Sequence, residues 1–139
     1  DIEFHSKRDL SKLNKELFAP DMSMVRPGWI CRYKIEDNGT PRSVEIMDRL
    51  ENLYYFYEFK YSKRKLQSRY FSSDSTFIGS HTVKFNSKSR PLRIAYYNEN
   101  GIMKNAIEYE YPKEAKVIIS QLNSKNKVIL RTLIPKKDN

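Results

Sequence analysis

Residues 81–101 read "HTVKFNSKSRPLRIAYYNENG". Val83 and Phe85 alternate with polar neighbours, a polar turn follows from Asn86, and alternation resumes at Leu92, Ile94 and Tyr96 before an Asn-Gly turn closes the stretch. Period-two alternation interrupted by Asn, Ser, Pro and Gly is the pattern of antiparallel hairpins, because successive strand side chains point to opposite faces and those residues supply turn conformations.

The same unit recurs along the chain. Ile35, Tyr61, Phe85 and Tyr111 each end an incoming strand, at spacings of 26, 24 and 26 residues, which makes four hairpin repeats of about 25 residues. First turns are predicted at 36–43, 62–65, 86–91 and 112–116, with returning strands from Val44, Leu66, Leu92 and Val117. Second, five-residue turns are predicted at "DRLEN" from Asp48, "SSDST" from Ser72, "NENGI" from Asn98 and "NSKNK" from Asn123. Asn38-Gly39 and Asn100-Gly101 tolerate positive φ. A last strand, Val128 to Ile134, completes about nine strands.

Alternation then assigns faces. Trp29, Cys31, Tyr33, Tyr57, Phe59, Val83, Phe85, Leu92, Ile94, Tyr96, Ile107, Tyr109, Val128, Leu130 and Ile134 fall on one face, and Arg32, Lys34, Glu45, Glu58, Lys60, Arg69, Lys84, Arg93, Glu108 and Glu110 on the other. The expectation is an all-β, antiparallel up-and-down meander with one core face and one wet face. Such a sheet hides its apolar face as a curled sheet or a barrel, between which the sequence does not choose.

Residues 1–28 differ in kind from the β-repeat domain, residues 29–139. Leu10, Leu13, Leu17 and Phe18 recur at helical spacing between Asp9 as a candidate N-cap and Pro20, predicting a short N-terminal helix. Disorder is expected through about residue 8.

Composition bounds the class. The 139 residues are 13% aromatic, with ten Tyr and seven Phe against a mean hydropathy of −0.75, a bias towards strand formers. Cys31 is the single cysteine, so no internal disulfide and no cysteine cage for a metal can form; on an apolar strand face it reads as a small core residue. No apolar run approaches the about 20 residues of a membrane helix, and the opening "DIEF" lacks a signal-peptide pattern.

With these motifs in view, the quoted stretch resembles the YD repeat of rearrangement-hotspot and teneurin-type proteins, whose units carry an aromatic pair, a Gly-Arg turn, a Leu and a closing Asp-Gly turn. The likeness spans residues 29–134, and "IED" at 35–37 comes nearest to the expected Asp. The resemblance implies a repetitive bacterial β-protein of the envelope, or a secreted one, and hence an extracytoplasmic place: periplasm, cell surface or medium. A second resemblance is to lipocalin-like barrels. Gly28-Trp29 at the first strand and Arg131 on the last stand near that family's Gly-x-Trp and late Arg, and imply a small barrel around an apolar ligand.

Catalytic chemistry finds little footing. His5 and His81 are the only histidines, and His81 sits on a strand among apolar neighbours, where a satisfied structural histidine is expected. No nucleophile elbow, HExxH, phosphate loop or spaced Cys/His set occurs. Glu108 and Glu110 project together but read as a charge pairing beside Lys116. The expectation is a non-enzymatic protein with no cofactor and no metal.

Charge is the informative feature. Residues 1–28 hold five basic and five acidic side chains, so the net +9 belongs to the β region. Within 59–98, nine basic residues (Lys60, Lys63, Arg64, Lys65, Arg69, Lys84, Lys88, Arg90 and Arg93) face one acid, Asp74. Solubility alone needs no such segregation, whereas attraction of an anionic partner does. Candidate partners are an acidic glycan, nucleic acid or a protein, with Tyr54, Phe56, Tyr70 and Tyr97 as outward rings for base stacking. The alternative is a lipocalin-like barrel holding an apolar ligand among Tyr57, Phe59, Phe85, Tyr96 and Tyr109. Terminal strands also offer edges for pairing with another copy.

Overall fold

The computed structural model describes residues 25–37 and 39–137, together with the backbone of 2–4. Its strands are β1 (Ile2–Phe4), β2 (Ile30–Ile35), β3 (Pro41–Met47), β4 (Leu53–Ser62), β5 (Lys65–Ser72), β6 (Phe77–Phe85), β7 (Pro91–Asn98), β8 (Met103–Glu110), β9 (Val117–Leu122) and β10 (Val128–Ile134). They hydrogen-bond in sequence order as one sheet, with β1 at one end of the order and β10 at the other. The nine strands read from the hairpin repeat are β2–β10, an antiparallel meander. The order is open, so the barrel alternative is not the one adopted. No helix occurs among the described residues, and the predicted N-terminal helix lies outside them.

The disorder expected through about residue 8 is corrected at residues 2–4; the remainder of that stretch lies outside the described residues. Ile2–Phe4 pairs in parallel with β2, Ile2 beside Cys31 and Phe4 beside Tyr33. The Ile-Glu-Phe alternation is itself a short strand pattern, and β2 without it would leave its outer backbone groups unpaired.

Six connections share one scheme. In the turns opening at Glu36, Asp48, Ser72, Asn86, Asn98 and Asn123, the first residue's N–H donates to the carbonyl four residues on, and the fourth residue's N–H donates back to the first carbonyl. That fourth residue has positive φ every time: Gly39 (87°), Glu51 (66°), Ser75 (70°), Ser89 (61°), Gly101 (76°) and Asn126 (62°). This is a type I turn closed by a left-handed residue, and register shifts accompany it, as between Lys34/Ile35 and Lys84/Phe85. The four five-residue turns read from the sequence fall in register. The β4–β5 connection is shorter, with Lys63 and Arg64 between strands and Arg64 at φ 57°.

The chain forms two compact units, Asp1–Lys60 with Ser68–Ile78, and Tyr61–Gln67 with Gly79–Asn139. In the first, Tyr33, Val44 and Tyr57 are register neighbours and all buried, and Tyr70 lies 4.2 Å from Tyr57. Cys31 pairs with Ile46 in the same core, and burial pushes its thiol pKa up. In the second, Val83 and Ile94 are paired and buried, with Phe85 and His81 on the same side of β6. His81 packs 5.6 Å from Tyr96.

The division into one core face and one wet face is overturned in both units. In the first, Phe56, Phe71 and Phe77 form a ring cluster on the side of β4 away from Tyr57, with Phe56–Phe71 centroids 5.0 Å apart. In the second, Ala95, Ala106 and Leu122 form a buried row opposite Ile94 and Ile107, covered by Tyr97 and Met103. Small side chains flanked by large ones bury a patch that alternation alone assigns to water. Conversely, Leu92, Val128, Leu130 and Ile134, expected in the core, are exposed: Leu92 falls in the register shift between β6 and β7, and β10, at the end of the order, is paired on one side.

Candidate anion-binding edge

The two basic turns expected to adjoin do so. Phe85 N–H donates to the Arg64 carbonyl at 2.9 Å, joining the Lys63–Arg64 turn to the start of the Asn86–Arg90 turn. Asn86 builds the second turn, its Oδ1 accepting from Lys88 N–H (2.9 Å) and Arg90 N–H (3.0 Å). That cap holds the backbone with both basic side chains outside it. Lys63, Arg64, Lys65 and Lys88 are exposed, and no acid pairs with them among the described residues.

The meander extends this edge further than the expected patch. Within the second unit, the Tyr111–Lys116 connection and the end of β10 lie on the same side as the Asn86 turn. Tyr111 donates its hydroxyl to the Pro91 carbonyl at 2.5 Å, and Lys116 N–H donates to the Ile134 carbonyl at 2.9 Å. Lys113, Lys116, Lys136 and Lys137 therefore continue the row, all exposed. The nearby carboxylates are Glu114 and Glu110, and Glu110 is paired with Arg131 at 3.2 Å. The missed lysines were within reach of sequence reasoning, since an up-and-down order brings every second turn to one edge.

Other members of the expected patch are placed elsewhere or engaged. Arg93 donates to Glu108 at 2.5 Å, to Asn126 Oδ1 at 2.8 Å and to Met103 Sδ at 3.5 Å, so its charge is met within the protein. Glu108 and Glu110 are thus partners of Arg93 and Arg131 rather than of Lys116. Arg69 belongs to the first unit and lies between rings, its guanidinium carbon 5.2 Å from the Phe71 centroid and 5.1 Å from Phe77. Lys60 is exposed in the first unit, and Lys84 is exposed beside Arg93 in the register. Arg90 is exposed, and its guanidinium carbon lies 5.3 Å from the Tyr111 ring centroid, so its charge rests over that ring at the edge.

The rings proposed for base stacking are occupied by other contacts. Trp29 and Tyr54 stack at 4.2 Å and 11°, and Tyr54 donates its hydroxyl to Asp48 at 3.1 Å. Phe56 packs on Phe71, Tyr70 on Tyr57, and Tyr97 over the Ala95–Ala106 row. Of the residues expected around an apolar ligand, Tyr57 and Phe59 belong to the first unit and Phe85, Tyr96 and Tyr109 to the second. Tyr57, Phe59 and Phe85 are buried; Tyr96 and Tyr109 are half-buried. Among the described residues no group of acids, His and Cys is placed to hold a metal ion, and no helix is long and apolar enough to cross a membrane.

Comparison with protein-family models, with curated proteins and with solved structures gave no match.

Proposed function

We propose that the chain is a binding module whose basic edge engages an anionic polymer, with an acidic glycan favoured over nucleic acid. The observation that carries this reading is the row of exposed cations, Lys63, Arg64, Lys65 and Lys88, in two turns joined through Phe85 and Arg64, with Lys113 and Lys116 continuing it. A rigid turn holding unpaired cations at the surface attracts sulfate or carboxylate with little ordering cost. Nucleic acid would profit from free aromatic faces, and the outward rings here already pack against other side chains of the chain. Affinity should fall steeply with salt, because a polyanion releases condensed counterions on binding.

Heparin-column retention tests the reading. Reversing Arg64, Lys88 and Arg90 to Glu should leave the far-ultraviolet spectrum intact, since exposed turn charges contribute little to stability, and should collapse retention. Reversing Lys104, Lys125 and Lys127, of which the latter two lie in the turn at the other end of the second unit's strands, should matter much less. Equal loss from both triple variants would reduce the effect to diffuse net charge, and retention unchanged by either would remove the edge from the account.

A further inference from the structure

The strand β10 is apolar on both faces and exposed along its length: Val128 is 58% exposed, Ile129 64%, Leu130 52% and Leu133 59%. Among the described residues its one hydrogen-bonded neighbour in the strand order is β9. Ile134 turns its carbonyl towards β9, accepting from Lys116 N–H, so by strand alternation Leu133 and Arg131 aim their backbone N–H and C=O away from β9. The outer edge is therefore a row of backbone donors and acceptors flanked by large apolar side chains.

Charge selects what can cover it. Lys125 and Lys127 precede the strand, and Lys136 and Lys137 follow it. A second copy pairing through β10, in either direction, would set lysines against lysines at both ends, which is repulsive. We infer that β10 accepts an extended segment of another protein as an added strand, apolar at alternate positions and carrying carboxylates at both ends. Backbone bonds would give such a partner its affinity, and the flanking lysines would reject neutral or basic strands. This surface is independent of the polyanion reading, although Lys136 and Lys137 border both.

A fluorescein-labelled peptide of alternating Val and Thr with two Glu at each end, and a twin with Lys in place of Glu, would be titrated into the full chain by anisotropy. The Glu-flanked peptide should bind at least about tenfold more tightly. Leu133→Pro removes an outward N–H without touching a β9 bond, and should abolish binding. The R64E/K88E/R90E variant should bind as wild type does, which separates β10 from the basic edge. Should Leu133→Pro fail to fold, K125E/K127E/K136E/K137E provides the second test, and should exchange the preference between the two peptides. Equal affinity for both peptides, binding that survives Leu133→Pro, an unexchanged preference, or loss in R64E/K88E/R90E would overturn the inference. So would a wild-type dimer in sedimentation that Leu133→Pro dissolves, since a second copy would then occupy the strand.

Discussion

A single side-chain oxygen organises most of the turns. Asp48, Asn86, Asn98 and Asn123 each accept two backbone N–H groups, from residues two and four positions on. The turn at Ser72 departs from this, because a hydroxyl on so short a stem cannot replace a carboxylate or amide. There Asp74 takes over, accepting from the Ser72 hydroxyl and from Thr76 N–H. Those hydrogen bonds, the Ser72 hydroxyl first, hold the Asp74 carboxyl down at about 2. A depressed acid contributes stability that is present above its unfolded value and is lost as pH falls through the folded one. The stability added by Asp74 should therefore be intact at neutral pH and decline from about pH 4 towards pH 2. Urea melts of Asp74→Asn and wild type should differ at neutral pH and converge in that window; a constant difference down to pH 2 would mean that the charge is not what the turn uses.

At the scale of strands, much of the fold is legible and its limits have physical causes. Turns are legible because Asn, Asp, Ser and Gly have few reasons to recur at 24–26-residue spacing except to reverse the chain, and β10 is read to its last residue. Alternation gives the side of a strand but not which neighbour lies across it. The left-handed turn residue is accompanied by a register shift, so the pairing of Arg93 with Glu108 depends on the shift at Tyr96/Tyr97 between β7 and β8. Nine cations were visible in the sequence, but that Arg93 is neutralised and Arg69 lies over rings was not. The Ala95–Ala106–Leu122 row is hidden for a related reason: Ala carries little signal until Tyr97 and Met103 are placed over it. Ala106 is fully buried, so Ala106→Leu should overpack that row and cost about 1–3 kcal/mol. In the first unit, Tyr57→Ala should open a cavity worth about 3–5 kcal/mol. If both variants melt like an exposed Lys104→Ala control, apolar packing on two faces is not what stabilises the strands.

Across the whole chain the +9 net charge works against folding and, on the function proposed above, for binding. In low salt the cations of the basic edge repel one another in the folded state more than in the expanded unfolded chain, where the same charges are farther apart. R64E/K88E/R90E should then be slightly more thermostable than wild type in low salt, and the difference should vanish as salt screens the edge. A sulfated oligosaccharide reverses the order if it binds the folded edge, because a ligand selective for the native state adds RT ln(1 + [L]/Kd), about 2.7 kcal/mol at a hundredfold excess over Kd. The unfolded wild-type chain carries the same lysines and arginines without their clustering, so its affinity for the ligand is weaker and leaves most of that gain in place. Thermal melts of the two proteins, with and without oligosaccharide at two salt concentrations, should show the triple variant ahead without ligand and behind with it, the inversion fading in high salt. Melting temperatures that rise together in both proteins on adding the oligosaccharide would place its binding elsewhere on the chain, and the clustered turns would then be a cost in stability with no binding to offset it.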